Sequence, residues 1–197
     1  MKVRLGRAVA LLLGCLSGTV ALAHPGHVEG GGFAEGLMHP WTGADHLLAM
    51  LAVGMLAAWV GGAARWRLPL AFLSMMAAGS LLALPGLGSG LIEAGVALSL
   101  VVIGALLAHG RGLPQQALLL LVGFFALFHG AAHGAELPHG AAFSQYFGGF
   151  ILSTAALHAL GLVLGQGASA RLGRFREGSA RAIGWAVAVV GVALLVV

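Results

Sequence analysis

Beyond residue 39 the polarity pattern consists of six long apolar segments, near 41–61, 68–84, 90–109, 114–135, 142–165 and 180–197. Each holds roughly 17 to 24 residues, enough for a helix rising 1.5 Å per residue to cross a hydrocarbon core of ~30 Å. The breaks between them are Arg65-Trp66-Arg67, Pro85-Gly86, His109 to Pro114, Leu137-Pro138-His139-Gly140 and the basic stretch Gln166 to Ser179. A shorter apolar stretch, 8–20, follows Lys2, Arg4 and Arg7 and ends in Ala21-Leu22-Ala23, the small-x-small pattern of a signal-peptidase site. The expectation is an all-α membrane protein: a cleaved signal peptide at 1–23, an extracytoplasmic His/Gly-rich segment at 24–40, and six transmembrane helices within 41–197, with the mature amino terminus outside.

Composition removes the other classes. Hydrophobic residues make up 59% of the chain and charged residues 8%, against roughly 25% charged in a soluble domain. That hydrophobicity also excludes disorder. The 33 glycines follow no collagen triplet and sit inside the apolar runs, as in closely packed transmembrane helices. Cys15 is the single cysteine and lies in the segment expected to be removed, so a metal site must use nitrogen and oxygen.

The net charge of +4 does not point to nucleic acid. Apart from the three basic residues of the signal peptide, all lie in expected inside loops: Arg65 and Arg67, Arg111, then Arg171, Arg174, Arg176 and Arg181. That distribution obeys the positive-inside rule of a multi-pass protein in the bacterial cytoplasmic (inner) membrane, and it leaves no basic residue for an interior site.

Ionisable groups at membrane depth are costly and call for a partner or a function. The first span opens with His39-Pro40-Trp41-Thr42-Gly43-Ala44-Asp45-His46. A continuous helix would put His39 and His46 nearly in line on one face, with Pro40 in the first turn and His39 near the cap. In the fourth span, His129, His133 and Glu136 stand at i, i+4 and i+7 on one stripe, while Gly130 and Gly134 permit close approach of a neighbouring helix or an ion. Glu93 opens the third span. Spans one and three enter from outside and span four exits there, so these groups share one depth in the outer half. His39, Asp45, His46, Glu93, His129, His133 and Glu136 thus form a candidate nitrogen and oxygen site for a borderline divalent ion such as nickel, cobalt, copper or zinc.

Other residues extend the picture. His158, in the inner half of the fifth span, is a candidate relay or second stop, weighed against a structural polar contact. His24 and His27, with the free amine, are candidates for metal capture at the outer face, and His139 sits in an outside loop. Gln145 and Tyr146 fall at the outer end of span five; Trp59, Trp66 and Trp185 read as interfacial anchors, and Met50, Met55, Met75 and Met76 as packing residues.

The motifs His-Pro-x-x-Gly-x-Asp-His-Leu-Leu-Ala-Met at 39–50 and Phe-His-Gly-x-Ala-His-Gly-x-Glu at 128–136 closely resemble those of the HupE/UreJ family of hydrogenase and urease accessory proteins. The resemblance extends over essentially the whole chain. It implies a secondary nickel permease, cobalt in some members, that supplies metal to enzymes such as [NiFe] hydrogenase and urease. It implies functional roles for His39, Asp45, His46, His129, His133 and Glu136, the same six reached from the residues, and Glu93 is similar to the acidic residue of the family's third span.

The expected activity is import of Ni²⁺ or Co²⁺ as cargo, without enzymatic chemistry, a tightly bound cofactor or a nucleic-acid partner. No Gly-x-x-x-x-Gly-Lys-Ser/Thr loop is present to couple transport to a nucleotide. Two other classes fit the same residues: an intramembrane metal-dependent hydrolase, and an assembly factor that presents metal without transporting it. Small-x-x-x-small runs permit a homo-oligomer.

Overall fold

The computed structural model describes residues 32–82, 88–109, 112–134, 142–172 and 176–196. They form seven helices: α1 (Phe33–Thr42), α2 (Ala44–Val60), α3 (Ala64–Leu82), α4 (Ser89–His109), α5 (Gln115–Gly134), α6 (Ala142–Leu172) and α7 (Arg176–Val196). The all-helical class is as expected. Helix ends follow local chemistry: Gly61 and Gly62 adopt positive φ (79° and 53°) after α2, and the Gly61 amide caps the carbonyl of Ala57. Pro114 stands just before α5.

Among the described residues, four helical stretches are long and apolar enough to cross a membrane: Ser89–His109, Gln115–Gly134, Phe143–Gly167 and Glu177–Val196. The pair α1 and α2 meets that standard jointly, as a broken span or re-entrant loop. α3 is not among them, because it opens on Arg65 and Arg67. Large apolar side chains stay exposed around the bundle, among them Leu70, Leu91, Leu120, Phe124, Leu152, Val163 and Val192. Such an outward apolar face fits a hydrocarbon solvent.

Two expectations are corrected. The first span is not one helix over 41–61: α1 and α2 meet at Gly43 at an angle of 87°. Pro40 therefore lies near the end of α1, which starts at Phe33, rather than in a first turn. The basic stretch 166–179 is not a long break either, since α6 runs to Leu172 and α7 starts at Arg176.

α2 is the centre of the bundle and is buried on nearly every side, through Met50, Val53, Leu56, Ala57 and Trp59. It packs along α6, and touches α3, α4, α7 and α1. The tightest crossings are made by glycine. A Cβ at Gly130 of α5 would run into the Met76 carbonyl of α3, and one at Gly54 of α2 into the His158 carbonyl of α6. Close backbone approach of this kind is the usual basis of helix association in lipid. It seats the histidine-bearing turns of α5 and α6 against fixed neighbours.

Candidate metal centre

Three helices bring four imidazoles into one file. α1 supplies His39, α2 supplies His46, and α5 supplies His129 and His133. His39 Nε2 lies 2.8 Å from His133 Nδ1, with ring centroids 4.6 Å apart. The His133 ring is 4.3 Å from that of His46, and His46 is 4.9 Å from His129. The order along the file is thus His39, His133, His46, His129. Tyr146 and Phe150 of α6 wall the His39 end, Phe150 lying 4.5 Å from His133.

The bend at Gly43 makes the file possible. It sends α1 across to α6, where Trp41 Nε1 donates to Ser153 Oγ at 2.8 Å. Had α1 and α2 been continuous, His39 and His46 would have shared one face of one helix; instead they reach His133 from different helices. Gly43 also leaves space, since a Cβ there would stand 2.9 Å from Asp45 Oδ1 and 3.2 Å from His46 Nδ1.

Two neighbours determine which ring nitrogens keep lone pairs. The Asp45 carboxylate accepts from His46 Nδ1 at 2.9 Å and from the His46 amide at 2.8 Å. A carboxylate only accepts, so Nδ1 carries the proton and His46 Nε2 the lone pair. The Ser99 hydroxyl donates to the Val96 carbonyl at 2.6 Å and meets His129 Nε2 at 2.7 Å. Its one proton is thereby used, so His129 Nε2 donates to Ser99 and Nδ1 keeps its lone pair. His46 Nε2 and His129 Nδ1 are both buried without a hydrogen-bond partner among the described residues. An outer group that fixes tautomer and ring orientation is the usual second layer of a metal-ligating histidine.

Beside the file lies a partly open cavity of about 240 Å³, lined by Asp45, His46, Glu93, Val96, Ala97, Ala132 and Leu194. Glu93 is exposed and faces it with Asp45, which is 32% exposed, whereas His129 is fully buried. The arrangement is an acidic vestibule beside a row of imidazoles that is buried at His133 and His129. Among the described residues no three His, Cys, Asp or Glu side chains already stand in the geometry that holds an ion. As placed, His39 and His133 are bonded to each other.

His158 is also buried, at 1% exposure, and meets the file through Phe72. Glu136, His24, His27 and His139 lie outside the described residues. Sequence reasoning missed Ser99, Phe72 and Trp41. Ser99 was detectable only as a hydroxyl within an apolar run, a weak signal because serine can satisfy itself on its own helix. Phe72 carries no signal at all in a span rich in apolar residues.

The HupE / UreJ protein family profile matches residues 11–194 of the chain. Protein HupE of Rhizobium leguminosarum bv. viciae is 42% identical over 178 residues, covering 90% of this chain and 91% of that protein. No solved structure matches. The chain belongs to the HupE/UreJ family, whose proteins are accessory and transport proteins of hydrogenase and urease systems and not enzymes, which sets the hydrolase reading aside.

Proposed function

We propose that this HupE/UreJ protein is a secondary permease that imports a divalent transition metal, Ni²⁺ or Co²⁺, across the bacterial cytoplasmic membrane and so supplies metalloenzymes such as hydrogenase or urease. The observation that carries the reading is the row of four imidazoles from three helices, two of whose nitrogens are fixed as lone-pair donors by Asp45 and Ser99. In this reading the chain crosses six times, α1 and α2 forming one broken crossing and α3 another. The vestibule opens outward.

The hydrated ion enters between Asp45 and Glu93, whose carboxylates offset its charge. It then exchanges water for imidazole nitrogen, a donor suited to nickel, copper and zinc. Ligand bonds of about 2.0–2.1 Å at a tetrahedral angle put two nitrogens about 3.3 Å apart. His39 and His133, now 2.8 Å apart, need to part only slightly for an ion to replace the shared proton. Glu136 is assigned to the same mouth, and His24 and His27 to capture ahead of it, from the sequence. An inside-negative potential supplies ~2.3 kcal/mol per charge per 100 mV, roughly 4.6 kcal/mol for a divalent ion, so import needs no nucleotide.

The test is uptake of Ni²⁺ and Co²⁺ by vesicles holding the purified protein, beside the His46→Ala and His133→Ala variants. Saturable uptake lost in both variants is the expected result. Metal binding with no uptake by the unaltered protein would instead make it a presenting factor.

A further inference from the structure

Outside the four-histidine file, His158 is a buried titratable side chain to which no role has yet been given. His158 of α6 is 1% exposed, and neither of its ring nitrogens has a hydrogen-bond partner among the described residues. A neutral imidazole carries one N–H donor and one acceptor, and burying both unmatched is unfavourable. The nearest hydroxyl on its own helix has its proton committed elsewhere: Thr154, one turn away on the same stripe, donates to the Phe150 carbonyl. The position is not slack, because the His158 carbonyl sits against Gly54 where α2 and α6 cross.

Its place along the bundle gives this orphan a meaning. Phe150 touches His133, and His158 follows eight residues later on the same helix, about 12 Å further along at 1.5 Å per residue. One side chain stands between His158 and the end of the file. The fully buried Phe72 ring is 5.0 Å from His158 and 5.4 Å from His129, meeting both tilted or edge-on. His129 Nδ1, the last lone pair of the file, is itself without a partner among the described residues.

We infer that His158 is a second metal station, distinct from the four-histidine file and reached past Phe72, which takes over a borderline divalent ion released by His129. The inference rests on the permease reading for its direction of travel, but the station itself is a binding site. Handover swings the Phe72 ring aside and lets a ring nitrogen of His158 bind before His129 lets go. Two stations a short step apart allow binding firm enough to strip water yet weak enough to release.

The test compares the unaltered protein with His158→Leu, which keeps bulk and removes the ligand, and His158→Cys, which offers a softer one. Equilibrium dialysis with Ni²⁺ in detergent should find one ion fewer bound by His158→Leu, with binding at the file retained. Vesicle uptake by that variant should fall at least tenfold. His158→Cys should recover uptake and shift its preference toward a thiophilic ion such as Cd²⁺, which a packing role would not do. Equal stoichiometry with full uptake in His158→Leu, or an unchanged metal preference in His158→Cys, overturns the inference. Should His158→Leu fail to fold, His158→Cys decides. If the unaltered protein takes up no metal, the permease reading falls while the dialysis comparison still judges the station.

Discussion

His39 Nε2 and His133 Nδ1 lie 2.8 Å apart across 94 residues of chain. One belongs to a helix turned by 87° from its successor and the other to the stripe of α5. If the two act on one ion, their effects are coupled. His39→Ala and His133→Ala should each lower vesicle uptake of Ni²⁺ by about tenfold or more, and the double variant should lose little beyond the worse single one. Fully multiplicative losses would mean that the two rings serve separate steps.

Asp45 acts through His46. Asp45→Asn keeps the shape but offers either an amide donor or a weaker neutral acceptor to Nδ1, so the Nε2 lone pair is no longer secured. Affinity for Ni²⁺ should drop by about 10–100-fold, the range found for outer ligand partners. Calorimetric titration in detergent measures it, and an unchanged affinity would reduce Asp45 to a charge at the mouth.

Ser99→Ala removes the acceptor of the His129 Nε2 proton without altering the packing of α4 greatly. His129 is then free to take the other tautomer, which puts a proton on the nitrogen meant for the ion. The expected result is weaker binding, about tenfold, with thermal stability little changed. Imidazole ¹⁵N shifts report the tautomer directly.

Gly130 allows α5 to lie on the Met76 carbonyl of α3. Gly130→Ala should destabilise the protein by about 1–3 kcal/mol through overpacking and displace both His129 and His133. Gly90→Ala, where a Cβ meets open space, is the control and should be neutral or slightly stabilising. Unfolding in detergent compares the two. Equal stability of both variants would show that the crossing can shift at no cost.

A protonated imidazole has no lone pair to give. Uptake should therefore be higher at neutral pH than in acid, where protons compete with the ion for the imidazoles. Measuring initial rates in vesicles at fixed potential checks this. Faster uptake in acid than at neutral pH would contradict neutral histidine as the working ligand.

Much of the molecule was legible in the chain itself. Apolar length gave α4 and α5 to within one residue at each end, and α6 and α7 apart from their ends in the 166–179 stretch, because a helix in lipid must satisfy its backbone internally over a fixed thickness. The cost of an ionisable group among apolar residues singled out His39, Asp45, His46, His129 and His133, and the geometry brings these five together. The i, i+4 spacing of His129 and His133 carried over unchanged, because it is local to one helix. Spacing across Gly43 did not carry over. Whether a glycine continues a helix or turns it depends on what the next segment packs against, and here α1 lies on α6.

What the sequence determined alone was therefore the helical class and the residue types of the candidate file, since these follow from residue type and local period. Only the tertiary structure decided who touches whom: the bend that delivers His39 to His133, the hydroxyl of Ser99 that fixes His129, and the Phe72 ring between His129 and His158. Those contacts join residues tens of positions apart, and their partners are ordinary serine and phenylalanine. No local pattern marks such residues, because their roles arise from helix crossings that glycine permits but does not itself specify.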